Sequence, residues 1–410
     1  MSNGRPGVID VLLRVGLYGF VIGCYQGIAI TQSALILGLL VWAVRARMGR
    51  TATPPGEGTA SGTRLLTPVD LAFLFWLGSG ILSTVFAVDP LASLDKLRKI
   101  FMIGTVYLFA FNVRSETRLE RVVLVFLLSA LVASAIGIVD YLSHPFGVDG
   151  RTRGTLSHYM TMGGLLMFAA SLSVSLALFA KAGGWRAVFL WVCAAANTAC
   201  LAVTFTRSAW IGFLAAVVTI FAFKRRVLLL VLPVVLVLFY VTAPGGFQER
   251  IQSMVDPSHP ANVERTHMWR AGLEIFKDHP LAGVGLMDQS ELYEQYRSSE
   301  ARESHGHFHN IFVQVAAARG ILGLAAFVYL LWAMGAAILR GRRAAQSVSP
   351  FANALATGAF GAYLGFILSG LFEWNFGDSE VIMVVYFLVG LAIAITRCSE
   401  RVGSDADCSA

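Results

Sequence analysis

Apolar stretches of about the length needed to cross a bilayer follow one another along nearly the whole chain, broken by short polar turns. A spanning helix needs roughly 20 such residues. Twelve stretches can be drawn, at 8–25, 28–45, 69–87, 99–113, 119–141, 158–181, 185–204, 207–223, 227–242, 309–340, 351–371 and 380–396. Lipid satisfies no backbone polar group, so only helices or closed barrels cross it. These runs are too long and too uniformly apolar for barrel strands. The pattern predicts an all-α polytopic membrane protein of about twelve transmembrane helices. Spans one to nine occupy 1–242, a mostly helical outer segment occupies 243–308, spans ten to twelve occupy 309–396, and a short tail fills 397–410. No internal repeat is visible.

Composition agrees with that pattern. Of 410 residues, 56% are hydrophobic and 14% charged, with mean hydropathy +0.67. A soluble domain carries about 25% charged residues. The first run holds Arg14 and is followed at once by another, so it reads as a retained helix. Basic residues cluster in alternate loops: Arg45, Arg47, Arg50 and Arg64, then Arg114, Arg118 and Arg121, then Lys181 and Arg186, then Lys224, Arg225 and Arg226, then Arg340, Arg342 and Arg343, and Arg397 and Arg401 in the tail. Twelve spans put them all on one side, which the positive-inside rule makes cytoplasmic. The stretch 51–62, rich in Gly, Pro and Thr, reads as a flexible loop there. The net charge of +7 is scattered over short loops, which excludes a nucleic-acid-binding face. None of the five cysteines forms a CxxC pair, so neither a disulfide framework nor a zinc site is expected from them.

On the opposite side lie the candidates for chemistry. Arg207, in Thr206-Arg207-Ser208, stands between two apolar spans, where a charge is expensive. It reads either as a functional cation held at the outer face by a tight turn, or as an arginine bonding headgroups or helix-end carbonyls. Asn262 is a plausible helix cap, with Glu264 in the first turn. Helical spacing then puts Arg265 on one stripe with Trp269, Gly272, Leu273 and Phe276, where a charge needs either a carboxylate or a phosphate. A second outer helix is expected after Asp288, which has capping-box spacing to Glu291. His309 stands where the polar segment meets the tenth span, and imidazole is suited to proton transfer near neutral pH. Asn310 beside it can orient the ring or bond a substrate hydroxyl. Alternate histidines at 305, 307 and 309 raise a metal site, but Gly306 breaks a regular strand and no carboxylate cluster completes the set, so no metal is expected. Lys96, Arg98, Lys99, Arg151 and Arg153 are outer-side exceptions to the charge rule. They read as helix-end snorkelling or as attractors of an anionic ligand.

The topology brings Arg207, Arg265 and His309 to the same face. Two arginines and a histidine suit an anionic leaving group and a hydroxyl nucleophile: the guanidinium groups stabilise developing charge and the imidazole takes the proton. There is no Walker loop, GxSxG or dinucleotide fingerprint, so no cofactor is expected and the energy must come from the donor's own activated bond.

The residues resemble the O-antigen ligase family of bacterial inner-membrane glycosyltransferases, a group that also holds O-antigen polymerases and O-linked oligosaccharyltransferases. The resemblance rests on Leu82-Ser83, Asp89-Pro90, Ser93-Leu94 and Arg98; on Gly154-Thr155 and His158; on Thr206-Arg207-Ser208 and Trp210; on Arg265, Trp269, Gly272, Phe276, Pro280 and Gly283-Val284-Gly285; and above all on His309-Asn310, Gln314, Gly320-Ile321 and Gly323. It implies an undecaprenyl-pyrophosphate-linked glycan as donor, the lipid A–core as acceptor, membrane lipids around the chain, and an inverting, metal-independent reaction at the periplasmic face. His309 would be the base, with Arg207 and Arg265 on the pyrophosphate; Asn310, Arg151, Arg153, Arg98 and Trp269 are the expected substrate contacts. Many relatives carry an acidic residue nine positions after the histidine, where this chain has Ala318 followed by Arg319. Polymerase and oligosaccharyltransferase activities are the near alternatives. A secondary transporter is the distant one, disfavoured because transporters gather polar groups near the midplane.

Overall fold

A computed structural model describes residues 7–51, 66–143, 150–302 and 306–407. His305, most of the 51–62 loop and Arg64 lie outside these residues. The chain is all-α, with no strand among the described residues. It begins with the hairpin α1 (Val8–Gly23) and α2 (Ile28–Thr51), then α3 (Asp70–Val85) and α4 (Pro90–Leu97). A 3-10 turn, Arg98–Ile103, leads into the nine-residue α5 (Gly104–Asn112). Then come α6 (Glu116–Leu142), α7 (Tyr159–Phe179), α8 (Gly184–Val203), α9 (Arg207–Lys224) and α10 (Leu228–Thr242). The polar interval folds as α11 (Gly245–Val255), α12 (Pro260–Asp278) and α13 (Ser290–Tyr296), and the chain closes with α14 (Ile311–Ala344), α15 (Pro350–Gly370) and α16 (Ser379–Asp407).

Every predicted span falls on a helix. Eight of them are long and apolar enough to cross a membrane, and α3 and α10 are shorter apolar helices. The expected fourth span departs most, because its first half is 3-10 and only α5 is α-helical. The core is centred on α7, α15 and α16, whose residues are buried on nearly all sides. A polar clamp joins three helices within it: Ser134 on α6 donates to Asn197 Oδ1 on α8 (2.8 Å), and Asn197 Nδ2 donates to Ser173 on α7 (3.2 Å). Such bonds bind helices where lipid competes for none of them. By contrast α10 buries no residue, as expected of a helix facing lipid.

The two ends of the bundle differ chemically. At one, Arg114 is within electrostatic reach of Arg45, Arg118, Arg397 and Arg401, and Lys224 of Arg342, so the basic loops gather as the charge pattern predicts. At the other sit α11, α12 and α13.

One feature of α14 is invisible in its apolar pattern. The helix breaks at Gly320 (φ 62°, ψ −165°). The N–H groups of Ile321 and Leu322 turn away to the carbonyls of Pro280 and Leu281. The carbonyls of Ala317 and Ala318, released from helical pairing, accept from Val284 N and Gly285 N (both 3.0 Å), and Ala318 O also accepts from Ser83 Oγ (2.7 Å). Residues 280–285 are thus threaded into the break and bond these freed groups, the compensation that non-helical backbone needs where water is excluded. Only glycine fits the crossing: a Cβ at Gly320 would lie 2.3 Å from the Leu281 carbonyl carbon, and one at Gly283 (φ 70°) 2.3 Å from that of Ala318.

Helices α12 and α13 correct local expectations. Helix α12 starts earlier than expected, with Pro260 at its first turn and His259 Nδ1 accepting from Ala261 N. Asn262 is therefore not the cap; its Nδ2 donates to Ser253 O and Asp256 O and ties α12 to α11. The buried stripe of α12 is His267, Met268, Ala271, Gly272 and Ile275, rather than the line through Trp269 and Phe276. Gly272 makes the difference, because α14 and the segment before it come so close that a Cβ there would meet Val313 and Phe308. Helix α13 forms just after Asp288, but its cap is Gln289 and the expected capping box does not form; Asp288 Oδ1 accepts from Ser290 N instead.

Candidate active site

Between α11, α12 and the ends of α7, α9 and α16 lies a cavity of about 1130 Å³. Arg151, Arg207, Arg250, Arg265, Arg302 and His309 all line it, with Glu264 and Glu373.

Arg207 opens α9 directly after a tight turn in which Phe205 takes a left-handed conformation (φ 49°). The side chain is buried, and its Nη1 donates to Ser253 O at 2.7 Å. Arg207 thus bonds a carbonyl near the end of α11, and it also lines the cavity. The same turn anchors a cation that the sequence did not single out, since Arg250 Nε donates to Phe205 O at 2.9 Å. Burial, then repulsion from Arg151 and Arg207, lowers the Arg250 guanidinium to about 9. Arg151 lies over the Tyr159 ring at 4.8 Å from its centroid. Arg265, at the edge of the buried stripe of α12, makes no side-chain hydrogen bond or ion pair among the described residues. Its pKa is lowered by burial, against the opposing pull of Glu373. The carboxylate partner that a packing role would require is thus not bonded to it.

Across from the arginines stands His309, also left-handed (φ 45°), an uncommon conformation for a non-glycine residue and a mark of over-determined geometry. Its Nδ1 lies 3.0 Å from Glu373 Oε1. Burial would raise the Glu373 carboxyl, but the hydrogen bond with His309 and the charges of His309, His307 and Arg265 outweigh it and hold the group at about 2. An ionised Glu373 fixes the imidazole as donor at Nδ1, which leaves Nε2 as its basic nitrogen. Asn310 caps α14: its Oδ1 accepts from Phe312 N and Val313 N, and its Nδ2 donates to Leu371 O. It therefore positions both His309 and the loop that carries Glu373, and does not line the cavity.

The other expected contacts divide. Arg98 pairs with Asp95 on the surface, Arg153 is exposed, and neither lines the cavity; Trp269 packs against Phe372 instead. Glu373 is the main omission of the sequence reading. It supplies the carboxylate thought to be lacking: a ligand atom from each of His307, His309 and Glu373 lies within 4.8 Å of the others, a spacing that could hold a metal ion. Two of these three residues, His309 and Glu373, are bonded to each other directly. The signal available was an acid among aromatics, in Phe372-Glu373-Trp374, on a short outer loop. Glu264 Oε2 and Glu373 Oε2 are buried and accept no hydrogen bond among the described residues.

No curated protein matches the chain. A family model described as O-Antigen ligase matches residues 189–328, the stretch from α8 into α14 that contributes Arg207, Arg250, Arg265 and His309 to the cavity. The match likens this part of the chain to the O-antigen ligase family.

Proposed function

We propose that this protein is a glycosyltransferase of the bacterial inner membrane that moves O-antigen glycan from undecaprenyl pyrophosphate to a hydroxyl of the lipid A–core, at the periplasmic face. The observation that carries the reading is the meeting, in one cavity, of Arg151, Arg207, Arg250 and Arg265 with the His309–Glu373 pair. Mutually repelling cations gathered around an unpaired guanidinium are stabilised by a polyanion, and a pyrophosphate supplies one. Nε2 of His309 takes the proton of the acceptor hydroxyl as its oxygen attacks the anomeric carbon. The bond from that carbon to the pyrophosphate oxygen breaks on the opposite side, and the anomeric configuration inverts. Charge grows on the departing pyrophosphate, where Arg265, Arg207 and their neighbours are already aimed; preorganised cations of this kind lower the barrier without reorganising. Glu373 holds the imidazole in its tautomer and balances the charge it gains. The orphan oxygens of Glu264 and Glu373 suit sugar hydroxyls.

The test is transfer in vitro from lipid-linked O-antigen to purified lipid A–core by the protein in detergent. Product on the lipid A–core is the expected result. Elongation of a second lipid-linked glycan in its place would mark a polymerase, and modification of a protein hydroxyl an oligosaccharyltransferase.

A further inference from the structure

A second cavity, of about 490 Å³, lies on the far side of His307 from the arginine cavity. The two meet at Lys99, His307, Trp374, Gly377 and Ser379, which line both. At its floor is Arg319, the residue just before the break in α14, 8% exposed. Its guanidinium stacks 3.4 Å from the centroid of the Trp76 ring. Nη1 donates to Trp76 O (2.8 Å) and Ser79 Oγ (3.2 Å), and Arg319 forms no ion pair among the described residues. A buried cation without a carboxylate is costly. Stacking uses the flat face, and the two bonds use one nitrogen. Nε and Nη2, the edge that grips phosphate or carboxylate in bidentate fashion, make no hydrogen bond among the described residues. Lys96 and Lys99 stand at the rim, against the single carboxylate of Asp288. The walls between are aromatic, including Trp374 and Phe376, surfaces on which sugar rings stack.

We infer that this second cavity binds an anionic group, phosphate or carboxylate, of the acceptor glycolipid, with Arg319 as its specificity-determining contact. The inference rests on the glycosyl-transfer reading above. It assigns the two cavities to the two substrates: the donor pyrophosphate among the arginines, the acceptor reaching the shared wall from the other side.

The experiment uses the full-length protein in phosphatidylcholine nanodiscs. Binding of lipid A–core and of lipid-linked donor is measured for wild type, Arg319→Gln and Lys96→Gln, each verified by gel filtration. A charge-assisted bond is worth about tenfold to a hundredfold in affinity. Arg319→Gln is expected to weaken acceptor binding by that factor and to leave donor binding unchanged. Phosphatase-treated lipid A–core should lose the same factor on wild type if the group is a phosphate, and none if it is a carboxylate. Unchanged acceptor binding in Arg319→Gln overturns the inference. So does displacement of acceptor by excess phosphatidylglycerol down to the level of the variant, which would assign the site to bulk lipid headgroups. Should Arg319→Gln fail to fold, Lys96→Gln, a change at the exposed rim, decides: a smaller, salt-sensitive loss of acceptor affinity supports the inference, and no loss refutes it. Binding that depends on Arg319 in a protein that transfers no glycan would retain this site while refuting the transferase reading.

Discussion

His309 Nδ1 and Glu373 Oε1 are 3.0 Å apart, although 64 residues separate them in sequence. Asn310 makes the pairing structural as well as chemical, since it caps the helix after the histidine and donates to Leu371 O on the loop that delivers the glutamate. A base oriented by a carboxylate is the recurring arrangement for drawing a proton from a hydroxyl. His309→Ala is expected to lower turnover by about 10²–10⁴-fold with donor binding intact. Glu373→Gln keeps the shape but loses the charge that stabilises the imidazolium, so it should lower turnover within the same range and also spare donor binding. Near-normal turnover in either purified variant would remove that residue from the reaction.

The same pair sets a pH dependence of stability. Glu373 is held near 2 in the folded protein, below its ordinary 4.5. A depressed carboxyl stabilises the fold above its unfolded pKa, and that contribution disappears as pH falls through the folded value. The stability difference between wild type and Glu373→Gln should therefore shrink as pH falls from 4.5 toward 2. Thermal unfolding in detergent across that window reads it. A difference that grows on acidification would contradict the assignment of an ionised Glu373.

Why the sequence revealed the helices and only part of the site follows from the range of each interaction. Span-length apolar runs declare themselves one at a time, so α6, α7 and α15 lie within a few residues of their expected places. Arg207, Arg265 and His309 were legible because each is a polar residue at the edge of an apolar or amphipathic element. Glu373 acquires meaning only through a partner on another loop, and Arg250 only through the Phe205 carbonyl. The stripe of α12 was misplaced because Gly272 reads as a gap on a helical wheel, whereas in the fold it is the point of closest approach. The break at Gly320 was not legible because the apolar run resumes at Ile321 and carries the span onward with its pattern unchanged.

Chelation addresses the cluster of His307, His309 and Glu373. With the charge of the leaving group assigned to arginines, treatment with EDTA is expected to leave transfer unchanged. Loss of activity that zinc or magnesium restores would instead make these residues metal ligands, and the direct His309–Glu373 bond would then describe the metal-free form.

The threaded break in α14 can be tested without touching either cavity's charges. Gly320→Ala forces a side chain into a left-handed residue and against Leu281, so strain alone should cost about 1–3 kcal/mol. The break supports both Arg319 and the 280–285 segment, and loss of thermal stability in detergent is the expected result. Gly78→Ala is the control: it lies within α3 with nothing inside 4 Å of its added Cβ, and it should be neutral or slightly stabilising. Equal effects of the two changes would show that the threaded segment is not held by close packing.

The arginines are expected to separate by how they are bonded. Arg207 already donates Nη1 to Ser253 O, so Arg207→Ala removes both a cavity cation and a tie between α9 and α11. It should weaken donor binding and lower thermal stability together. Arg265 has no such tie among the described residues. Arg265→Lys keeps the charge and gives up the planar fork, and a residue free of packing duties can be changed this way with little effect on the fold. If its role is bidentate contact with the pyrophosphate, Arg265→Lys should lose donor affinity and turnover by about tenfold or more, with stability close to wild type. Full activity in Arg265→Lys would mean that only positive charge is needed there. A loss of stability as large as that of Arg207→Ala would mean that Arg265 holds the outer helices rather than the substrate.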